Sequence, residues 1–271
     1  MVKVAFQGER GAFGEDAVII FFDNAETFPY RYLKDVFDVV SNGHVDFCVV
    51  PVENSQAGSI NETYDLLLKY PLNIFGEINL RINHCLMALP GQNLTEIKTI
   101  YSHPQALAQC QEFLSTLNAD IIPSYNTAGS AKKIKEEAVK GQAAIASNRA
   151  AEIYGLEILK TNIETNINNY TKFFVISQKK PERYPENKTS MVFSTKNIPG
   201  ALYYILGAFA TRNINLTKLE SRPSKDKPWE YVFYVDFEGH IEDKVCQEAL
   251  IEVEGKTSFL KMLGSYPRAR D

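Results

Sequence analysis

Cysteine is scarce and scattered in this chain. Cys48, Cys85, Cys110 and Cys246 lie far apart with no C-x-x-C spacing, which excludes a disulfide framework and a paired-thiol motif and leaves reduced core thiols. The four histidines, His44, His84, His103 and His240, are equally dispersed, with no pairing at helical spacing, so no metal site is expected. No uninterrupted apolar run approaches the roughly 18 residues of a membrane span. The opening Met1-Val2-Lys3-Val4-Ala5-Phe6 goes straight into strand-like sequence, without a basic segment followed by a long apolar stretch. A soluble, unexported, cytoplasmic chain is therefore expected. Basic residues are not in excess: Lys plus Arg is 29 against 33 Asp plus Glu, a net charge of −4, and no nucleic-acid partner is expected. Also missing are G-x-S-x-G, G-x-x-x-x-G-K-S/T and a strand-linked G-x-G-x-x-G, the marks of common hydrolases and of nucleotide and dinucleotide binders.

What is present points to two domains, since 271 residues with 45% apolar content exceed an average domain of roughly 150. The first two thirds alternate short β-branched runs with amphipathic stretches, the α/β pattern of parallel strands joined by helices. Strands are expected at 2–6, 45–52, 85–89, 99–102, 143–146 and 173–177, and helices at 64–69, 105–117, 130–140 and 149–154. From Lys179 to Thr189 two prolines and a cluster of charges interrupt the periodicity, placing a boundary near residue 185. Beyond it, strands at 190–194, 214–220, 229–237 and 259–266 and helices at 200–212 and 241–254 give β-α-β-β-α-β, the ferredoxin-like order.

Apolar strands repeatedly run into polar turns that open helices. Gln7 to Gly14 carries three glycines, which let backbone approach a ligand. Ser59 with Glu62, and Ser102 with Gln105, have capping-box spacing. Asn126 to Ser130 and Ser147 to Arg149 complete the set. Helix starts carry partial positive charge and unpaired donors, so several facing one cleft would bind a small carboxylate; alternatively, each Ser or Thr only caps its own helix. Asn169-Tyr170-Thr171-Lys172 stands apart, putting a hydroxyl and a cation directly before an apolar strand. Thr171 as a strand-start residue and Lys172 as an edge charge is the alternative. His103 could be a base or simply a first-turn residue.

Three motifs carry a family resemblance: V-P-V-E-N-S-Q-A-G-S from Val50 to Ser59, S-H-P-Q-A-L-A-Q-C from Ser102 to Cys110, and N-Y-T-K-F from Asn169 to Phe173. In this order, with two motifs downstream, they resemble the prephenate dehydratase family over nearly the whole chain. The resemblance implies a two-lobed catalytic region like type 2 periplasmic binding proteins, over 1–180, with lobes of about 1–76 plus 162–180 and 77–161. A C-terminal ACT domain, over 189–267, is implied to follow. It further implies conversion of prephenate to phenylpyruvate without a cofactor, with Thr171 catalytic and Asn54, Ser55, Gly58, Ser102, Thr127, Lys172 and Phe173 binding substrate. The family has arginine where Lys172 stands, and an ammonium is a point charge rather than a fork, so arogenate remains the alternative substrate.

Downstream, Gly200-Ala201-Leu202 and the stretch from Asn213 to Pro223 resemble the phenylalanine-binding motifs of dehydratase ACT domains. The implied effector residues are Gly200, Ala201, Leu202, Asn215, Leu216, Glu220, Ser221, Arg222 and Pro223, the effector is L-phenylalanine, and the assembly is a homodimer or homotetramer. Gly200 as a plain turn and Arg222 as a solvated charge is the alternative. From another class altogether, a two-lobed α/β chain could be a non-catalytic solute-binding or sensor protein.

Overall fold

The computed structural model describes residues 1–224 and 230–269. The chain divides into two compact units, residues 1–63 with 78–173, and residues 64–77 with 174 onward. In chain order the elements of the amino-terminal part are β1 (Val2–Gln7), α1 (Phe13–Phe21), β2 (Ala25–Tyr30), α2 (Leu33–Ser41), β3 (Phe47–Asn54), β4 (Gly58–Ser59), α3 (Asn61–Lys69) and β5 (Asn73–Arg81). Then come β6 (Cys85–Ala88), β7 (Thr99–Ser102), α4 (Pro104–Gln109), α5 (Gln111–Leu114), β8 (Asp120–Pro123), α6 (Thr127–Glu137), β9 (Gln142–Ala146), α7 (Asn148–Tyr154), β10 (Glu157–Lys160) and β11 (Tyr170–Ser177). Two sheets result, β2-β1-β3-β11-β5 and β10-β6-β9-β7-β8, each with helices, the two α/β lobes implied by the resemblance.

The central strands form because their side chains bury on both faces. Val4, Ala5 and Phe6 lie parallel to Phe47, Cys48 and Val49, and all of these are buried, the near-continuous apolar run of a covered parallel strand. The second sheet is mixed, which corrects the parallel expectation: β7 is parallel to β8 and β9, whereas β6 runs antiparallel to β9 and β10. Strands covered on both faces look alike in either direction, so strand direction was not written in their composition. The expected helix 105–117 is broken at Cys110, whose N–H is shared between the carbonyls of Ala106 and Leu107 at 3.1 and 3.2 Å. All four cysteines are buried free thiols, and burial pushes Cys85 up to about 11 and Cys110 up to about 12.

The carboxyl-terminal region adds β12 (Asn187–Ser194), α8 (Ala201–Ala210), β13 (Leu216–Pro223), β14 (Tyr231–Glu238), α9 (Lys244–Glu254) and β15 (Phe259–Pro267). The order β-α-β-β-α-β is the one expected, folded as an antiparallel sheet β13-β14-β12-β15. Trp229, expected to begin β14, lies outside the described residues. Alternation along the strands sends Met191, Phe193, Val235 and Phe237 into a core with Ile205, Phe209 and Val253 of the two helices. The other face carries a buried polar cluster. Lys188 Nζ bonds Glu77 of β5 and stands 3.5 Å from Asp236, while Ser190 Oγ donates to Asp236 at 2.5 Å. Lys261 Nζ donates to the carbonyls of Leu67, Leu68 and Tyr70 at 2.8 to 2.9 Å, a cation on the C-terminal turn of α3. Among the described residues no helix is long and apolar enough to cross a membrane.

Candidate active site

Within the first unit, the carboxyl ends of β1, β3 and β7 open onto a cavity of about 200 Å³, the position where open α/β sheets hold ligands. Gln7 reaches it from the end of β1, Phe13 and Gly14 from the start of α1, His103 and Gln105 from the start of α4, and Thr127 from the start of α6. Three of the five turns singled out by sequence thus open helices onto one space. Among the described residues no Asp, Glu, Lys or Arg lines it, so its electrostatics come from helix N-termini and neutral polar groups, which favour an anion without a formal cation.

Thr171, near the start of β11, is buried and lines this cavity. Its Oγ1 accepts from Asn54 Nδ2 at 3.0 Å. Asn54 is the last residue of β3, and its Oδ1 accepts from the backbone of Gln56 and Ala57 at 3.1 and 3.0 Å, an Asx turn that locks the amide. Three amides then close a ring: Asn54 Nδ2 donates to Asn169 Oδ1 at 2.9 Å, Asn169 Nδ2 to Gln109 Oε1 at 3.0 Å, and Gln109 Nε2 to Asn54 Oδ1 at 3.3 Å. His84 Nε2 lies 3.0 Å from Gln109 Oε1. Burial pushes His84 down despite its bond to Gln109 and the nearby Glu164 carboxylate, and burial pushes His103 down as well. Both rings are neutral near pH 7.

The β1–α1 turn is clasped by the second lobe. Tyr125 Oη donates to Glu9 at 3.0 Å, Lys132 Nζ to Glu9 at 3.1 Å, Tyr154 Oη to the Arg10 carbonyl at 2.9 Å and Ser147 Oγ to the Gly11 carbonyl at 2.6 Å. Ser147 also caps α7, accepting from Ala150 N at 3.0 Å. That turn therefore joins the lobes through Glu9, Arg10 and Gly11, while Gln7, Ala12, Phe13 and Gly14 at its ends line the cavity.

Of the other residues picked from sequence, Asn54, Thr127 and Phe173 line the cavity. Lys172 does not, because alternate β11 side chains leave opposite faces and its neighbours Thr171 and Phe173 take the cavity side. Ser102 is fully buried, with Oγ on the Ile145 carbonyl at 2.7 Å, and the cap of α4 is His103, whose Nδ1 accepts from Gln105 N at 3.2 Å. Ser55 bonds the Asn168 carbonyl and Tyr170 N at 3.1 and 3.0 Å, stapling the segment before Thr171 to β3. Gly58 and Ser59 form β4, pairing with Asn54 and Glu53 just ahead of α3. Among the described residues no group of three or more His, Cys, Asp or Glu is placed to hold a metal.

Comparison with known proteins decides the family. The prephenate dehydratase family model matches residues 4–181, and the ACT domain model matches residues 189–255. The chain belongs to the prephenate dehydratase family. It is 43% identical over 277 residues to arogenate dehydratase/prephenate dehydratase 2, chloroplastic, of Arabidopsis thaliana, covering 98% of this chain and 73% of that protein. It is 41% identical to the bifunctional chorismate mutase/prephenate dehydratase of Aquifex aeolicus, covering 99% and 74%. Among solved structures, prephenate dehydratase in complex with L-Phe from Arthrobacter aurescens is 33% identical with a TM-score of 0.90, covering 98% of this chain and 90% of that one. GqqA, a quorum quenching acylase, is 34% identical with a TM-score of 0.91, covering 98% of both chains.

As a family member this chain is a dehydratase of L-phenylalanine biosynthesis with a C-terminal ACT regulatory domain. In that domain Gly200 is the left-handed residue before α8, at φ +80°, and Ala201 and Leu202 form the first turn of α8. Asn215 precedes β13, and Leu216, Glu220, Ser221, Arg222 and Pro223 lie in it. Arg222 pairs with Asp65 at 3.2 Å and lies over the Tyr234 ring, so it is tied down rather than a solvated charge. Sequence reasoning overlooked Gln109, Asn169 and His84. Gln109 had a signal, four residues after Gln105 on one helix face; His84 had none beyond its type.

Proposed function

We propose that this chain converts prephenate to phenylpyruvate, carbon dioxide and water, and that L-phenylalanine inhibits it through the ACT domain. The ring carboxylate leaves as carbon dioxide, its electron pair enters the ring, and the C4 hydroxide departs, taking up one proton as water. Hydroxide is the poor leaving group. Thr171 is the donor to it, with positioning and helix-start electrostatics supplying much of the rate because an alcohol is a weak acid. One observation carries this reading: Asn54 Nδ2 donates into Thr171 Oγ1 at 3.0 Å, which leaves the hydroxyl hydrogen for the cavity.

Prephenate is preferred over arogenate because, among the described residues, no carboxylate lines the cavity to take an ammonium group. Effector binding is assigned to Gly200, Ala201, Leu202, Asn215, Leu216, Glu220, Ser221, Arg222 and Pro223 in a homodimer or homotetramer. The exposed apolar residues Ile198, Leu219 and Ile251 of this region support association. The cytoplasm is the assigned compartment, which fits four free buried thiols. The catalytic region is assigned to 1–180, in lobes of about 1–76 plus 162–180 and 77–161, and the ACT domain to 189–267.

The test is a side-by-side rate measurement on prephenate, arogenate and an N-acyl amide, with and without L-phenylalanine. Phenylpyruvate formation suppressed by phenylalanine is expected. Turnover of arogenate alone would make it an arogenate enzyme, amide hydrolysis alone would favour the acylase chemistry of its structural relative, and no turnover would favour a sensor.

A further inference from the structure

Hydrogen-bond directions around Thr171 can be assigned outward from the backbone. Backbone N–H groups only donate, so the Asn54 atom reached by Gln56 N and Ala57 N is an oxygen, and the atom facing Thr171 is the nitrogen. The Gln109 atom 3.3 Å from that oxygen must then donate, which turns Gln109 Oε1 toward Asn169 and His84. Oε1 can only accept. His84 Nε2, 3.0 Å away, therefore carries a hydrogen, and in the neutral ring Nδ1 is bare. Nδ1 is buried without a hydrogen-bond partner, as that tautomer requires, since an N–H there would lose its bond to water at a cost of roughly 1–3 kcal/mol. The His84 backbone is itself pinned, its N–H donating to Glu164 Oε2 at 3.0 Å, and the ring stands edge-on to Phe13 at 5.6 Å. Four side chains thus hand hydrogen bonds in one direction, His84 to Gln109 to Asn54 to Thr171.

We propose that His84 is a positioning residue: its Nε2–H on Gln109 Oε1 turns the Gln109 nitrogen to Asn54 Oδ1 and, with Asn169, closes the amide ring around the Asn54 nitrogen that donates to Thr171. This rests on the dehydratase reading above. His84 itself lines the cavity, and the role assigned to it here runs through Gln109. Without the donor, Gln109 Oε1 keeps only Asn169, so the Gln109 and Asn169 amides can leave the ring, and Asn54, still held at its oxygen by Gln56 and Ala57, loses the Asn169 acceptor that orients its nitrogen beside Thr171.

The test compares three variants on whichever substrate the wild type turns over. His84→Leu keeps volume without the donor, His84→Gln carries an amide N–H at similar reach, and His84→Asn carries it one bond short. In His84→Leu, kcat is expected to fall about 10- to 100-fold with KM within about 2-fold and the urea midpoint unchanged; His84→Gln is expected to recover most of the loss and His84→Asn little. Full kcat in His84→Leu overturns the proposal. So does a well-folded His84→Gln no faster than His84→Leu, or, should His84→Leu not fold, equal rates in the Gln and Asn variants. Nitrogen-15 NMR at pH 8 should show a bare Nδ1 for His84, and an Nδ1–H tautomer overturns the proposal without reference to any substrate. A wild type inert on both substrates removes the functional reading and this role with it, whereas an active wild type with an unimpaired His84→Leu removes this role alone.

Discussion

Asn54 Nδ2 stands 3.0 Å from Thr171 Oγ1, and of the two groups it is the amide that donates, because the Asn54 oxygen is already held by two backbone N–H groups. The threonine hydrogen is thereby available to a ligand. Thr171→Ala is expected to lower turnover about 100-fold or more while the protein folds normally, and Thr171→Ser, which keeps the hydroxyl, is expected to retain a measurable share. Steady-state rates with circular dichroism as the folding control decide it; near-normal turnover in the alanine variant would take Thr171 out of the role.

Local pattern revealed β7 in full and β9 nearly so, because Thr99–Ser102 and Gln142–Ala146 are short β-branched or small apolar runs between turns. It did not reveal α1, whose Ala17–Phe21 run is apolar on every side and has no helical stripe, nor β8 and β10, four-residue strands at the ends of their sheet order. The ACT order was readable because Met191–Phe193 and Tyr231–Phe237 are strongly apolar strands separated by helix-length stretches. At the site, motif residues at strand ends, Asn54 and Thr171, were found. Gln109 and His84 were not, since their importance comes from meeting across 25 residues of chain, a tertiary fact of which the only local trace is the spacing of Gln109 from Gln105 on α4. Lys172 misled for the converse reason: adjacency in sequence to Thr171 means opposite faces in a strand.

Gly11 makes the close approach on which the clasp depends. Its φ is +83°, and an added Cβ would lie 2.7 Å from Ala150 Cα, a backbone contact that α7 cannot relieve without moving. Gly11→Ala is expected to destabilise the protein by roughly 1–3 kcal/mol and to raise KM by loosening the Ser147 bond to the Gly11 carbonyl. Urea unfolding and steady-state kinetics would show both effects, and unchanged values in both would mean that the turn adapts freely.

Lys188 is buried with Glu77 and Asp236 as its charged neighbours. Removing the cation strands two carboxylates away from water, so Lys188→Met is expected to cost about 3–5 kcal/mol. Adding Glu77→Gln should return part of that loss, because one uncompensated charge disappears with it. Chemical denaturation of both variants and of Glu77→Gln alone measures the coupling; strictly additive losses would show that the pair does not interact.

Ser221 sits exposed in β13 and is the cleanest probe of the effector assignment. Gly200 is less suitable, since at φ +80° an alanine there would strain the start of α8 and meet the Tyr204 ring at 3.0 Å. Ser221→Ala is expected to shift the phenylalanine inhibition curve about 10- to 100-fold, the worth of one hydrogen bond to a charged group at roughly 1.5–3 kcal/mol, with basal turnover unchanged. An inhibition curve that stays put would remove Ser221 from the effector site.

Asp16, in the first turn of α1, gives the fold a pH dependence of definite sign. Burial raises its carboxyl from 3.8 to about 6, against the pull of Arg149 and with help from Glu15 and Glu152. Between about pH 4 and 6 the folded chain therefore holds a proton that the unfolded chain has released. Stability contributed at this position falls as pH rises through that window and stays lost above it, the reverse of a salt-bridged carboxylate. Asp16→Asn should accordingly stabilise the protein by roughly 1–3 kcal/mol above pH 6 and make little difference below pH 4. Urea midpoints of both proteins at pH 4, 5, 6 and 8 test this, and a variant equally stable with wild type at pH 8 would show that solvent or Arg149 already satisfies the ionised carboxylate.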